Sequence, residues 1–336
     1  MNKHYTRRDF LRIGGLGSLA LAGCDRIPGN ISFDKDAPAK ADGYRALVCV
    51  FLHGGNDGYN LLVPSTDDKY ALYSQSRLEL AVPKSQLLSL NGTAADGAAY
   101  GLHPSCRELQ QLFNGGRAAI LANVGSLAGP ASKADFDAGR VPPRLFSHND
   151  QQDQWQSAHA DVTETSGWAG RLADVLSSAN GSALLPMNVT LAGSNLLQTG
   201  RQRFGFGMTS SGVSRLDALD PDGGAKALRA TFDRLRALDS PNMLERRHAN
   251  TLNTGIAVNA AIEAALGSAR ELGTAFPESN LGKQLKMVAR LISVREALGL
   301  KDSERIAGFI YIGQPMETSD ERERPVVEDL ITRWPA

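Results

Sequence analysis

The clearest hydrophobic pattern in the chain is a continuous apolar run at residues 46–52, which has the length of a β-strand. Because neither face of such a strand is polar, we expect it in the middle of a parallel sheet. Two more runs of strand length follow at residues 118–124 and 187–191. Residues 199–224, rich in Gly and Ser, lack this pattern and are expected to form a loop.

Helical spacing appears between these runs. Apolar residues three or four positions apart predict a helix over residues 102–113, which the glycine pair at 115–116 should end. The same spacing predicts a long amphipathic helix that starts near Leu281 and ends near residues 298–300.

One further helix is expected over residues 168–176, capped by Thr165 or Ser166. Strands and helices therefore alternate along the chain. This order predicts an α/β fold in which helices flank a parallel sheet.

The N-terminal segment has the composition of an export signal. Arg7 and Arg8 stand just before Phe10 and the uncharged apolar run 13–22. That run is too short to cross a bilayer as a permanent helix, and its flanks are those of a signal peptide. The paired arginines resemble the twin-arginine address, which a receptor reads. We therefore expect export.

The signal ends in a segment, residues 21–24, that resembles a lipobox. In this interpretation Cys24 becomes the acylated first residue of the mature protein and anchors it to a membrane. An ordinary cleaved signal with a chance cysteine is the alternative. The expected location is the periplasm or cell envelope, and Asp25 beside the anchor favours the inner membrane.

The balance of charges limits the expected partners. The chain has 36 Lys and Arg against 36 Asp and Glu, so no net field favours nucleic acid or anionic lipid, and no nucleic-acid partner is expected.

The other two cysteines, Cys49 and Cys106, lie in apolar surroundings. Two buried thiols are therefore favoured over a disulfide.

Two polar segments are candidates for chemistry, and the first, residues 53–60, directly follows the first strand. Ligands of parallel sheets bind beyond the carboxyl ends of the strands. Asp57 could therefore bind a metal, assisted by His53 or Asn60. A tight turn, in which Asn and Asp satisfy backbone groups, is the alternative.

The second segment, residues 146–156, concentrates hydrogen-bonding side chains, and Trp155 could cover a site there. The alternative is a solvated helix start capped by Ser147 or Asn149.

The order of motifs resembles the domain of unknown function 1501 family, whose exported bacterial members resemble the alkaline phosphatase and sulfatase superfamily. The resemblance implies a parallel sheet between helices, with metal bound at strand ends. It implies metal ligation by Asp57, Asn56 and His148, and catalytic roles for Ser147 and His148. The motifs that carry it are the signal, Leu52-His53-Gly54-Gly55-Asn56-Asp57-Gly58-Tyr59-Asn60, Leu102-His103-Pro104, Gly115-Gly116-Arg117, Phe146-Ser147-His148 through Trp155, and Gly167-Trp168-Ala169-Gly170-Arg171.

The chain departs from that family after residue 300. Members continue into a strand that ends in a Gly-Phe-Asp-Thr-His type motif, whereas the strand expected here at 306–312 is followed by Gln314-Pro315-Met316. Residues 304–336 instead resemble the C-terminal tail of the flavin-dependent nitroreductase family. We expect the new strand in the slot that the metal-site strand fills in the parent family, parallel to the sheet.

Four segments are thus expected: a signal at 1–23, a tether at 24–43, an incomplete alkaline-phosphatase-like domain at 44–300 and a nitroreductase-like tail at 301–336. Three functions compete: a metal-dependent phosphate or sulfate ester hydrolase, a non-catalytic lipid-anchored binding protein, and an oxidoreductase that binds FMN. The first uses a divalent metal. The tail lacks the flavin-binding body, so FMN is not expected. Little or no hydrolase activity is expected, because the later metal ligands are replaced.

Overall fold

The computed structural model describes residues 44, 46–52, 57–122, 124–127, 129–176, 180, 183–214, 226–237 and 240–300, together with the strand at 309–314. The expected signal and tether, Cys24, His53 and Asn56 lie outside the described residues. The described residues form two compact units. The first unit consists of those within Met1–Val50, Ser126–Glu271 and Met287–Ile312, and the second unit of those within Phe51–Gly125, Leu272–Lys286 and Gly313–Ala336.

The described elements make a mixed α/β protein. The strands are β1 (Leu47–Leu52), β2 (Leu62–Pro64), β3 (Leu88–Ser89), β4 (Tyr100–Leu102), β5 (Asn188–Thr190), β6 (Phe206–Gly207) and β7 (Phe309–Gln314). The α-helices are α1 (Gly58–Leu61), α2 (Asp67–Arg77), α3 (Arg107–Asn114), α4 (Lys133–Asp137), α5 (His148–Ser157), α6 (Trp168–Leu176), α7 (Lys226–Arg236), α8 (Met243–Gly267) and α9 (Asn280–Ser293).

A four-stranded sheet with the order β1-β7-β5-β6 contains the parallel pairs of the fold. Val189 of β5 pairs in parallel with Phe206 of β6 and with Ile310 of β7. The strand predicted at 187–191 is confirmed, and all three residues of β5 are buried. The strand predicted at 306–312 is also confirmed, although it begins and ends a few residues later.

The position predicted for β1 was wrong. The strand forms where the apolar run predicts it, but β1 lies at an edge of the sheet, next to β7. Leu47 and Val50 are exposed, so the run is not buried on both faces. An apolar pattern reports which residues favour burial, whereas strand order decides how much of them is covered.

The strand predicted at 118–124 is absent from the described residues of that run. Residues 118–122 have no regular structure, and Leu121 is 75% exposed. A strand needs neighbours for its backbone N–H and C=O groups, and apolar character alone does not supply them. Asn123 lies outside the described residues.

The second unit contains an antiparallel sheet, which corrects the expectation of parallel pairing throughout. Its order is β2-β4-β3, with Leu102 of β4 opposite Leu62 of β2 and Leu88 of β3. Leu102 therefore belongs to a strand, and the helix predicted from this residue begins only at Arg107. Its predicted stop is confirmed, since the Gly115 N–H donates to the carbonyl oxygen of Gln111 and ends α3.

The helix predicted over 168–176 is α6, and it packs closely on the loop after β5. The Gly170 N–H donates a 2.9 Å hydrogen bond to the carbonyl oxygen of Leu197, and the Gly167 N–H donates one of 2.8 Å to that of Thr199. A Cβ on Gly170 would lie 2.1 Å from the carbonyl carbon of Thr199. Both glycines of the Gly-Trp-Ala-Gly-Arg motif therefore allow backbone to approach backbone.

The long amphipathic helix is α9, in which Leu281, Leu285 and Val288 are buried, whereas Ile292, the next apolar position of the same spacing, is half-buried. It ends at Ser293, and turns occupy the stretch up to residue 299 in which the helix was expected to continue. Gly299 has a φ of +81°, a left-handed conformation that favours glycine and ends the turns.

The two cysteines that the structure describes, Cys49 and Cys106, are not in a disulfide, as the sequence favoured, but only Cys106 is buried and Cys49 is half-buried. Burial raises the pKa of the Cys49 thiol. Within the described ranges, none of the helices has the length and apolar character needed to cross a membrane.

Candidate functional site

The predicted metal ligand Asp57 is held by contacts of its own. Its side chain caps α1 and accepts a 3.2 Å hydrogen bond from the backbone N–H of Tyr59. Its other oxygen forms an ion pair with Arg77, the last residue of α2, whose guanidinium lies 5.9 Å from the centroid of the Tyr59 ring. A cation at this carboxylate would have to displace Arg77.

Asn60, the suggested helper of Asp57, also has structural partners. Its amide nitrogen donates to the carbonyl oxygen of Leu80 at 2.9 Å, and its amide oxygen accepts from the Tyr73 hydroxyl at 2.7 Å. The same hydroxyl accepts from the backbone N–H of Val82 at 2.8 Å. Asn60 therefore fixes the segment that follows α2, and its amide oxygen already has a donor.

Ser147, one of the two predicted catalytic residues, is the N-cap of α5. Its hydroxyl donates to the carboxylate of Asp150 and accepts from the backbone N–H of Asp150 at 3.5 Å. Arg144 pairs with the same carboxylate at 2.9 Å. The hydrogen bond from Ser147, followed by that from Arg144, lowers the pKa of Asp150, which makes this carboxylate a weak base for activating the hydroxyl. The arrangement is that of a helix cap.

The other predicted catalytic residue, His148, begins α5 and is exposed. Trp155, which was expected to cover a site, is also exposed, at 45%. The polar character of this segment has another cause, because Gln154 and Gln156 are buried. Gln154 donates to the carbonyl oxygen of Pro143 at 3.2 Å, and the side-chain oxygen of Gln156 accepts from the Leu197 N–H at 3.0 Å.

The predicted site residues are divided between the two units. Asp57 belongs to the second unit, and Ser147 and His148 belong to the first. Among the described residues, no group of three or more His, Cys, Asp and Glu side chains is arranged to hold a metal ion. The predicted ligand Asn56 lies outside those residues.

The sequence did not point to a cleft of about 440 Å³ in the second unit. Its volume falls in the range of small-molecule sites, and most of its lining is apolar. The loop between β3 and β4 forms one wall, and the end of α3 and the segment after it form another. The lining residues used below are Leu62, Leu90, Asp96, Tyr100, Phe113 and Ala122.

Asp96 is the charged group of this cleft. One of its oxygens, Oδ2, accepts from the Lys69 ammonium and from the Tyr100 hydroxyl, the latter at 3.0 Å. The other, Oδ1, accepts from the Ala98 N–H at 3.1 Å. These contacts, led by the hydrogen bond from Lys69, lower the pKa of Asp96 to about 2. Burial, aided by the bond to Asp96, raises the pKa of Tyr100.

No protein-family model matches this chain, and neither a curated protein nor a solved structure matches it.

Proposed function

We propose that this chain is an exported, lipid-anchored protein of the cell envelope that acts by binding and has little or no ester-hydrolase activity. The observation that carries the proposal is the ion pair between Asp57 and Arg77. A metal-dependent ester hydrolase needs three or four charged or imidazole ligands and an oriented nucleophile. Asp57, the first ligand of the metal set that the resemblance implies, is paired with the guanidinium of Arg77. Ser147, the implied nucleophile, is hydrogen-bonded as a helix cap.

We further propose that residues 44–300 form a shortened alkaline-phosphatase-like domain related to the domain of unknown function 1501 family, and that residues 301–336 form a nitroreductase-like tail. Supporting this, β7 follows α9 and pairs in parallel with β5. This arrangement is expected if the strand of the tail occupies the place that the metal-site strand has in the parent family. The same replacement removes the later metal ligands, and the loss of these ligands explains the proposed lack of hydrolase activity.

The cleft of the second unit is the binding site that we propose. Leu62, Leu90 and Phe113 offer an apolar lining to a flat or aromatic body. Asp96 Oδ1, whose only described donor is a single backbone N–H, can accept a further hydrogen bond from a hydroxyl or amine of the ligand. The ligand class is therefore a small apolar or aromatic molecule that carries one hydrogen-bond donor.

Metal content and turnover test the absence of hydrolase activity. The purified chain is analysed for bound metal and assayed with p-nitrophenyl phosphate and sulfate, with and without added divalent ions. We expect no turnover in the parent chain or in Asp57→Ala. Asp68→Ala, which removes an exposed carboxylate elsewhere, is the control and should behave like the parent chain. Stoichiometric metal, together with turnover that Asp57→Ala abolishes, would restore the metal hydrolase. A yellow protein with a flavin spectrum would favour the oxidoreductase.

Labelling with a fatty-acid precursor tests the anchor. We expect incorporation of the label and partition into the detergent phase for the parent chain and for Cys49→Ser, and loss of both in Cys24→Ser. Recovery of unprocessed, soluble protein from the cytoplasm of the native host would contradict the proposed location in the cell envelope.

Binding of 2-naphthol tests the cleft, because this probe has an aromatic body and one hydroxyl donor. We expect saturable binding by the parent chain and loss of that binding in Ala122→Phe, which fills the cleft. Ala260→Phe, on an exposed position of α8, is the control and should bind like the parent. Equal binding by all three proteins would contradict this site.

A further inference from the structure

Two helices of the first unit carry exposed apolar and basic side chains together. We call them the basic helix pair: α7 and the first three turns of α8, Met243–Asn253. Arg236 joins them, because its guanidinium donates to the side-chain oxygen of Asn253 at 2.7 Å and lies 5.9 Å from the centroid of the Phe232 ring. The two helices are therefore in direct contact through these side chains.

Four large apolar side chains of this pair are exposed. Leu228 and Leu235 of α7 and Met243 and Leu244 of α8 are each more than half exposed. In addition, α7 has no buried residue. Single exposed apolar side chains are common on surfaces, and what favours a covered surface here is that four large ones lie on two adjoining helices.

The same segment is locally basic, although the chain as a whole is balanced. Residues 226–250 contain six Lys or Arg and three Asp or Glu. One of the acids, Asp233, is paired with both Arg229 and Arg236. Across the ranges that the structure describes, Arg234 and Arg247 are exposed and have no acidic partner.

Arginines also lie beside Met243 and Leu244, the two apolar residues at the start of α8, which we call its tip. Met243, Leu244, Arg246 and Arg247 line one shallow groove on the first turns of this helix. Long basic side chains can lay their aliphatic stems beside apolar groups while their charged ends reach polar headgroups. A surface of this composition matches the boundary between lipid headgroups and acyl chains.

We propose that the basic helix pair lies on an anionic membrane surface. Leu228, Leu235, Met243 and Leu244 enter the headgroup layer, and Arg234 and Arg247 contact lipid phosphates. An anionic bilayer satisfies both features of the surface, since it offers an apolar layer beneath negative charge. A second copy of the chain would satisfy only the apolar side chains and would bring like charges together. The contact goes beyond lipid anchoring and does not require Cys24.

The fluorescence of a single introduced tryptophan tests the contact in the full chain. It reports only on the site where the tryptophan is placed, so the result does not depend on whether a lipid at Cys24 anchors the protein. The variant Met243→Trp places the reporter at the tip of α8, and Leu72→Trp, at a leucine of α2 with similar exposure, is the matched control. Each is mixed with vesicles of brominated phosphatidylcholine, with or without an equal share of phosphatidylglycerol. The quenching of the parent chain, which has three native tryptophans, is subtracted.

We expect the Met243→Trp reporter to be quenched in the anionic vesicles but not in pure phosphatidylcholine, and Leu72→Trp to be quenched in neither. Adding Arg234→Gln and Arg247→Gln should weaken the apparent affinity by about 25-fold, since each basic residue near an anionic surface contributes about fivefold. High salt should act in the same direction.

Two results would overturn the proposal. One is that Met243→Trp is quenched no more than Leu72→Trp in anionic vesicles, which would mean that the tip of α8 has no preferred contact with the membrane. The other is a blue shift of Met243→Trp emission that rises with protein concentration without vesicles, which would assign the surface to a second copy of the chain.

Discussion

The guanidinium of Arg77 is paired with the carboxylate of Asp57, twenty positions earlier in the chain. This contact joins the end of α2 to the start of α1 within the second unit. It gives the acid of the Gly-rich motif a structural partner at the place where the resemblance implies a metal. The function of Asp57 can therefore be tested through stability as well as through activity.

We expect Asp57→Ala to lower the free energy of unfolding by about 1 kcal/mol, because it removes both the cap of α1 and a half-exposed ion pair. Asp57→Asn keeps a capping oxygen and should cost only a few tenths of a kcal/mol. Urea unfolding of the two variants measures the difference. Equal losses in both, together with loss of bound metal, would assign a metal role to the carboxylate.

Ser147 offers a similar distinction between cap and nucleophile. Ser147→Ala should cost about 1 kcal/mol of stability, whereas Ser147→Asn, which retains a good N-cap, should stay close to the parent. Urea unfolding measures both variants. An ester-hydrolysis signal that both substitutions remove, with stability unchanged, would show that the hydroxyl is catalytic.

Gly170→Ala should destabilise the first unit by about 3 kcal/mol, because the new methyl group would overlap the backbone of Thr199 and Gly200. Gly255→Ala is the matched control, since a Cβ there meets nothing within 4 Å. Within α8 this control should add about 0.5–1 kcal/mol of stability. Thermal or urea unfolding compares the two, and a neutral Gly170→Ala would contradict the close approach of α6 to the loop.

The ion pair of Asp96 predicts a pH dependence. Its pKa of about 2 in the folded chain lies below the value of about 3.9 for an unfolded aspartate. Its contribution to stability is therefore present above about pH 4 and is lost as the pH falls from 4 towards 2. The urea midpoint of Asp96→Asn should fall less steeply than that of the parent in this window. Asp153→Asn controls for the loss of one exposed carboxylate, and parallel curves for Asp96→Asn and the parent would contradict the pairing.

Replacing Ile310 by proline tests whether β7 is an interior strand. Residue 310 pairs with Val189 of β5, and β1 lies on the other side of β7. Proline removes a backbone donor from a strand with two neighbours and should cost about 3 kcal/mol or more. Ile310→Val, which keeps the backbone donor, is the control and should cost less than the proline. If proline were tolerated, the strand would not be part of the sheet.

Short-range patterns predicted the elements whose formation depends on near neighbours in the chain. The helix at 168–176, the start of the amphipathic helix α9 and the glycine stop after α3 were predicted correctly, because spacing and local backbone conformation determine them. The apolar run at 118–124 is the counterexample. Its pattern is that of a strand, but the described residues of the run lack the strand neighbour that such a structure requires.

The sequence by itself determined where apolar spacing, caps and glycine turns can start and stop helices, since each of these acts over a few residues. Only the tertiary structure decided that β7 lies between β1 and β5, that β2, β4 and β3 pair in antiparallel order, and that Asp57 meets Arg77. Such partners depend on how distant segments are brought together by burial and backbone pairing. A motif can therefore name a charged residue, but whether that residue meets a metal or an arginine is decided by packing.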